Sequence, residues 1–157
     1  MPNPLLDTSS LPRFTDLAPE QVVAALNELI AAHRQKLEAL LDEIPNPDFD
    51  SLVAPLEEME HELARVWSPV SHLQGVLGSR EWRDAYNAAL PLMTEHGTEI
   101  SHNVRLQRAY AAVDERLPDD VSPARKSVWS SAIRIRMRFS FIPVCLPRLE
   151  SLRPGRM

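Results

Sequence analysis

Several residue types and patterns that mark particular classes of protein are scarce or missing in this sequence. Its single cysteine, Cys145, excludes an internal disulfide bond and a zinc site built from cysteines. Four glycines leave no glycine-rich loop that could cradle phosphate groups. There is no apolar run of about eighteen residues, so no membrane-spanning helix is expected. The N-terminus has no basic segment followed by an apolar stretch, which argues against a secretory signal and favours a cytoplasmic location.

The composition is that of one globular domain, and its charge is distributed unevenly along the chain. Hydrophobic residues make up 44% of the 157 residues, enough for a sizeable core. Residues 1–120 carry nine basic and 21 acidic side chains, whereas residues 121–157 carry eight basic and one acidic. A basic segment can bind nucleic acid or acidic lipid. Because the run Arg134, Arg136 and Arg138 is short and the preceding body is acidic, neither nucleic acid nor a membrane is expected as a partner.

The hydrophobic pattern predicts two long helices in the first half of the chain. Apolar residues recur at three- and four-residue steps between Pro19, which suits a first helical position, and Pro45, which cannot continue a helix. Asp48 or Asp50 is expected to cap the second helix. Pro69 lies within that helix and is expected to kink or break it.

Further helices are predicted downstream. Gly75 and Gly78 mark the expected end of the second helix, and Pro91 is expected to bend the third. Residues 133–144 alternate apolar and basic side chains in part, a pattern typical of a strand. The expected N-terminal caps of the third, fourth and fifth helices are Ser79, Asn103 and Ser122.

The sequence therefore predicts an all-α fold, an irregular antiparallel bundle of four or five helices, two of them with proline kinks. Three segments are expected. Residues 1–18 form an extended N-terminal arm, residues 19–128 form the helical domain, and residues 129–157 form a divergent, basic, proline-containing tail that is poorly ordered.

The run His61-Glu62-Leu63-Ala64-Arg65 is similar to a zinc-binding motif but lacks its second histidine. In His-Glu-x-x-His, two histidines four residues apart share one helix face and both bind the metal. Arg65 stands in the second position, and arginine stays cationic and cannot bind zinc. The helical period places Leu63 inward, so His61, Glu62 and Arg65 are expected near the surface, with pairing between Glu62 and Arg65.

Two further histidines, His33 and His72, are interpreted as structural. His33 lies on the buried stripe of the first helix and is expected to be a packed, hydrogen-bonded core residue. His72 follows Pro69 closely, and it or Ser68 or Ser71 could bond the backbone groups that the proline frees. No two of the five histidines are four residues apart.

Other candidate groups do not converge either. Ser68 has no Gly-x-Ser-x-Gly context, and Cys145 has no identifiable base. Four carboxylates in the second helix spread over several of its faces and are expected to be solvated: Glu57, Glu58, Glu60 and Glu62. No catalytic or metal-binding residue is therefore assigned, and the substrate-binding residues stay open.

Five short segments together resemble a known enzyme family. They are NPLL (3–6), LPRF (11–14), VAPLEE (53–58), WSPVSHL (67–73) and AYNAALP (85–91). Each is weak alone, but in this order they resemble the N-terminal region of the oligopeptidase A group. That group belongs to the family of zinc metallopeptidases that includes thimet oligopeptidase and neurolysin.

The resemblance runs to about Val128 and implies a function for a larger enzyme. In the family, this region forms part of the wall of a deep channel that admits short peptides. The implied reaction is peptide hydrolysis by a zinc-activated water with glutamate as general base, from a His-Glu-x-x-His helix in the C-terminal half. None of these groups maps onto this sequence, so the chain is expected to hold no zinc and to be inactive alone. The implied partners are the missing catalytic domain or short peptides.

Two alternatives remain beside this interpretation. The chain could be a stand-alone helical module that docks a partner through the surface that normally meets the catalytic half. It could instead be a non-functional product of a gene whose reading frame changed near Trp129, where the sequence departs from ordinary mixed-charge helix.

A reading-frame change is testable in the DNA. We expect one of the other two frames after codon 128 to restore a peptidase-like sequence that includes His-Glu-x-x-His. Sequencing the gene and its downstream region checks this. A clean stop with no downstream peptidase in either frame would contradict the frame change and favour the stand-alone module.

Overall fold

The described part of the chain consists mainly of four α-helices. The computed structural model describes residues 3–7 and 10–116, and no strand occurs within these ranges. The helices are α1 (Val22–Glu43), α2 (Phe49–Leu77), α3 (Arg80–His102) and α4 (Val104–Arg116). Helices α1 and α2 run antiparallel, and so do α2 and α3, because the end of α2 packs with the start of α1 and with the start of α3. The predicted all-α class is confirmed.

Helix α1 follows a short turn that satisfies backbone donors locally. A 3-10 turn spans Pro19–Gln21, and the Gln21 side chain accepts a hydrogen bond from the amide of Ala18 at 2.9 Å. The helix ends at Glu43, before Pro45, as the sequence predicts. Its buried stripe comprises Val22, Ala25, Leu26, Ile30, His33 and Leu37.

Helix α2 begins with a reciprocal cap. The Oδ1 atom of Asp48 accepts a hydrogen bond from the amide of Ser51 at 2.8 Å, and Ser51 Oγ accepts one from the amide of Asp48 at 3.0 Å. Both pairs satisfy donors that the first helical turn leaves free. Of the two predicted caps, Asp48 is the one that the helix uses.

Helix α2 continues through both of its internal prolines, Pro55 and Pro69. A break at Pro69, which the sequence allowed beside a kink, does not occur. An internal proline costs about 3 kcal/mol because it removes a donor and crowds the preceding turn. Pro69 is itself buried, and Val66 and Val70 beside it lie in the core. Burial of each valine contributes about 1.5–3 kcal/mol, which offsets the cost of the proline.

Gly78 forms the turn from α2 to α3. Its φ of 57° is left-handed, a conformation in which a side chain is strained, and its amide donates to the carbonyl of Gln74 at 3.2 Å. Gly75, which the sequence also placed at the end of α2, lies inside the helix. Ser79 then caps α3 as predicted, because its Oγ accepts from the amide of Trp82 at 3.3 Å.

A single residue, Asn103, joins α3 to α4. Its Oδ1 accepts a hydrogen bond from the amide of Leu106 at 3.0 Å, which confirms it as the cap of the fourth helix. Helix α3 runs without interruption through Pro91. The predicted fifth helix at Ser122 and the strand-like residues 133–144 lie outside the described residues.

Two hydrophobic clusters fill the bundle, and α1 contributes to both. The buried members of the first cluster are Leu5, Leu17, Val22, Ala25, Leu26, Ile30, Val66, Val70, Leu73, Trp82, Ala89 and Met93. Those of the second are Leu37, Leu52, Val53, Leu56, Met59, Leu106, Tyr110 and Val113. The first cluster joins the start of α1 to α3, and the second joins the end of α1 to α4, so α1 links the two ends of the bundle.

The N-terminal segment packs against the helices. Within the predicted arm, 3-10 turns form at Pro4–Leu6 and Phe14–Asp16, and Leu5 and Leu17 are buried in the first cluster. The side chain of Asn3 donates to the carbonyl of Gln21 at 2.9 Å. The predicted domain boundary at 128 and the tail at 129–157 lie outside the described residues and stay predictions.

Truncation of the α1 stripe should unfold the bundle more readily. Leu26 is fully buried, so Leu26→Ala should lower the free energy of unfolding by about 2–5 kcal/mol through lost contacts and a cavity. Leu11 is 85% exposed and provides the matched control. Leu11→Ala should change the free energy of unfolding by no more than about 0.5 kcal/mol. Urea unfolding followed by circular dichroism measures both. Equal effects of the two substitutions would contradict the assigned core.

Candidate functional site

The incomplete zinc motif of α2 does not form a metal site. His61 is exposed, and Arg65, in place of the second histidine, donates from Nη2 to the carbonyl of Ser10 at 2.6 Å. The predicted pairing of Glu62 with Arg65 is wrong. Glu62 turns toward α1 instead, because two donors on that helix, Lys36 and His33, reach its carboxylate. Among the described residues, no group of three or more histidine, cysteine, aspartate or glutamate side chains is placed to hold a metal ion.

A buried hydrogen bond joins α1 to α2 at His33. Its imidazole is 2% exposed, and Nε2 lies 3.0 Å from Glu62 Oε2. An ionised carboxylate only accepts, so Nε2 must carry the hydrogen and donate it. Lys36 donates to both oxygens of the same carboxylate at 2.7 and 2.8 Å. The predicted core, hydrogen-bonded state of His33 is confirmed, and Glu62 is its partner.

A second buried histidine, His96 of α3, lies beside the first. It is 5% exposed, and its ring centroid is 5.8 Å from that of His33, with the rings tilted by 42°. Its Nδ1 atom is buried and has no hydrogen-bond partner among the described residues. His96 is not among the core residues predicted from the sequence. The signal was present in its spacing from Met93 and Ala89, which follow the buried face of α3.

Burial sets the protonation of both histidines. Desolvation and, to a smaller extent, the neighbouring His33 lower the pKa of His96 to about 4. Desolvation also lowers the pKa of His33, although the hydrogen bond and charge of Glu62 act in the opposite direction. Burial acts to raise the pKa of Glu62, but hydrogen bonds from Lys36 and His33 outweigh it and lower that pKa overall. At neutral pH the site therefore holds two neutral imidazoles and one ionised carboxylate.

The other candidate residues stay apart from this pair. His72 is exposed. Its ring packs edge-on against the ring of Phe14, with centroids 5.5 Å apart, which is a contact with a side chain. Of the four carboxylates of α2, Glu62 bonds His33 of α1, whereas the other three are exposed. Cys145 and the arginine run at 134–138 lie outside the described residues.

Charged side chains also connect the helices at the surface, which the sequence analysis missed. Arg34 of α1 forms two bonds of 2.7 Å with Glu99 of α3. Arg105 of α4 contacts Glu38 and Asp42 of α1. Pairs between exposed groups contribute little to stability, about 0.2–1 kcal/mol each. No helix of the described residues is long and apolar enough to cross a membrane.

Comparison with known proteins identifies the family of the chain. The family model of the neurolysin/thimet oligopeptidase N-terminal domain matches residues 26–140. The chain belongs to this family. The match passes the departure predicted at Trp129, so the likeness extends further along the chain than the sequence indicated; the reading-frame hypothesis stays a prediction. No solved structure was found to match the chain.

Relatives of known name are similar to nearly the whole chain. Oligopeptidase A of Haemophilus influenzae is 36% identical over 135 residues, which cover 85% of the chain and 20% of the relative. Oligopeptidase A of Escherichia coli is 33% identical over 160 residues, covering all of the chain and 23% of the relative. The organellar oligopeptidase A of Arabidopsis thaliana is 29% identical, covering 87% of the chain and 16% of the relative. The chain thus spans about a fifth of the length of these relatives.

Removal of the Glu62 charge should weaken the contact between α1 and α2 at neutral pH. Glu62→Gln keeps the side-chain shape but replaces a carboxylate that accepts three charge-assisted bonds by a neutral amide with one acceptor oxygen. The free energy of unfolding should therefore fall by about 1 kcal/mol. Chemical unfolding at pH 7 measures this. Glu58→Gln, on an exposed position of the same helix, is the control and should have little effect. An unchanged stability of Glu62→Gln would show that the pair contributes nothing.

Proposed function

We propose that this chain is the N-terminal helical part of an oligopeptidase A-type enzyme that hydrolyses short peptides. One observation carries the proposal. The alignments with two relatives named oligopeptidase A cover 85% and 100% of this chain. The same alignments cover only 20% and 23% of the length of the relatives. A shared stretch of that size, at the family's N-terminal domain, supports a role as one part of a larger peptidase.

In this proposal the helical bundle contributes shape to the substrate channel, and the reacting groups lie elsewhere in the enzyme. Zinc would supply an activated water, as in other metallopeptidases. The described residues do not fit a zinc ion. His61 is followed on its face by Arg65, and His33 already donates Nε2 to Glu62. No catalytic step is therefore assigned to residues of this chain, and its partners are the rest of the enzyme and short peptides.

A cytoplasmic location belongs to the same proposal. It is supported by one relative whose name is "Probable cytosolic oligopeptidase A", from Arabidopsis thaliana, 28% identical over 137 residues. The organellar relative from the same plant offers the contrasting location.

A second candidate function is that of an interaction module acting through its surface. Large apolar side chains are exposed at the turns of the bundle, where a partner could cover them: Leu11, Phe14, Val76, Leu77 and Val104. The remaining catalytic part of an oligopeptidase would be such a partner, so this observation agrees with both candidates. A non-functional product of a damaged gene is the third candidate, and a monodisperse folded chain would argue against it.

A domain exchange tests the proposed function. We expect Escherichia coli oligopeptidase A to keep chelator-sensitive hydrolysis of a quenched fluorogenic peptide, within about tenfold of its normal rate, when its aligned segment is replaced by this chain. Two controls accompany it, a version with the segment deleted and a version carrying an unrelated helical bundle of similar length. Both should lose activity, because the channel wall would be missing or wrongly shaped. A folded but inactive exchange would contradict the proposal.

The isolated chain provides a simpler measurement. Purified alone and supplied with zinc, it should show no peptide hydrolysis that a chelator abolishes. Genuine chelator-sensitive turnover would mean that its own histidines and carboxylates form a metal site, which would overturn the assignment of the chemistry to another part of the enzyme.

A further inference from the structure

The interior of the bundle holds two titratable groups that the proposed function does not use. His33 of α1 and His96 of α3 lie with ring centroids 5.8 Å apart, and both are at least 95% buried. They lie where α1, α2 and α3 meet, because Glu62 of α2 bonds His33 from the third side. A neutral imidazole is accommodated there, whereas a cation would be desolvated.

The surroundings of the pair favour its neutral form. The nearby charged groups come from all three helices and are Arg34 and Lys36 of α1, Glu62 of α2, and Glu95 and Glu99 of α3. Two of these carboxylates already accept hydrogen bonds from other cations: Glu62 from Lys36, and Glu99 from Arg34. Arg105 of α4 bonds Glu38 and Asp42, on later turns of α1. Protonation of both rings would therefore place two cations side by side, with only Glu62 bonded to either of them.

We propose that the His33–His96 pair makes the packing of α3 against α1 and α2 acid-sensitive, so that proton uptake by the two buried rings loosens the bundle below neutral pH. The unpartnered Nδ1 of His96 supports this, because no acceptor among the described residues would stabilise a hydrogen added there. The inference does not depend on the peptidase proposal, since it concerns only the bundle itself.

The direction of the effect follows from proton binding. The pKa of His96 is lowered to about 4 from an ordinary value of 6.5, and that of His33 is lowered as well. The unfolded chain therefore binds more protons than the folded one below pH 6.5, and stability falls as the pH decreases from there toward about 4. The carboxylates with lowered pKa values, Glu62 and Glu99, lose their stabilising contribution only below their ordinary value of 4.5. Between pH 7.5 and 5.0 the histidines dominate.

Two tryptophans report on the packing of α3. Trp82 of α3 is buried in the first cluster, and Trp67 of α2 stacks on Tyr86 of α3 with ring centroids 4.9 Å apart. Their fluorescence should change when α3 leaves its neighbours. Urea unfolding of the full chain, followed by this fluorescence at pH 7.5 and 5.0, therefore measures the proposed sensitivity.

For the unaltered chain we expect the unfolding equilibrium constant to rise by a factor on the order of 30 from pH 7.5 to 5.0 through His96 alone, and by more with His33. His96→Leu should remove most of this rise, because no ring remains to be protonated at that position. His33→Gln is the second variant, since its amide can still donate to Glu62, and it should remove a smaller part. His61→Gln, at an exposed position, is the matched control and should leave the rise unchanged.

Two results would overturn the proposal. The first is an unfolding equilibrium constant of the unaltered chain that agrees within about threefold at the two pH values. The second is a rise of the unfolding equilibrium constant that has the same size in His96→Leu, His33→Gln and His61→Gln. If His96→Leu does not fold, the comparison of His33→Gln with His61→Gln decides between support and rejection.

Discussion

The burial of one face of α1 is the constraint on which the rest of this structure depends. Val22 and Leu26 near its start are fully buried in the first hydrophobic cluster, and Leu37 near its end belongs to the second. Helices α2 and α3 cover the first part, and α2 and α4 cover the second. Because each fully buried aliphatic side chain contributes about 1.5–3 kcal/mol, the loss of even one of them from this stripe would be large beside a net stability of about 5–15 kcal/mol.

The midpoint of that stripe explains the unusual polar interior. His33 falls between the two clusters, where the helical period directs it inward although its side chain is polar. A polar group in that position must find a partner, and Glu62 reaches it from α2 while Lys36 neutralises the carboxylate. The position of Glu62 in the incomplete zinc motif is thus accounted for by helix packing, and its carboxylate has a structural partner on α1.

The same packing shows how a proline-rich sequence forms long helices. Pro55 and Pro69 interrupt the backbone bonding of α2, yet the helix continues from Phe49 to Leu77 because buried neighbours hold both sides in place. These features lie within the region that matches the neurolysin/thimet oligopeptidase N-terminal domain. In the function proposed above, these long helices would form part of the channel wall, and the rest of the enzyme would supply the reacting groups.

The sequence alone determined the all-α class, the end of α1 before Pro45 and the caps at Ser79 and Asn103, because periodicity, proline and capping side chains act within a few residues. It also determined the family, through segments that keep their order along the chain. Tertiary structure decided what no local rule contains. The continuity of α2 through Pro69, the partner of Glu62 and the pairing of His33 with His96 depend on which helices meet. Residues 29 and 63 positions apart come into contact only when burial of the α1 stripe brings three helices together.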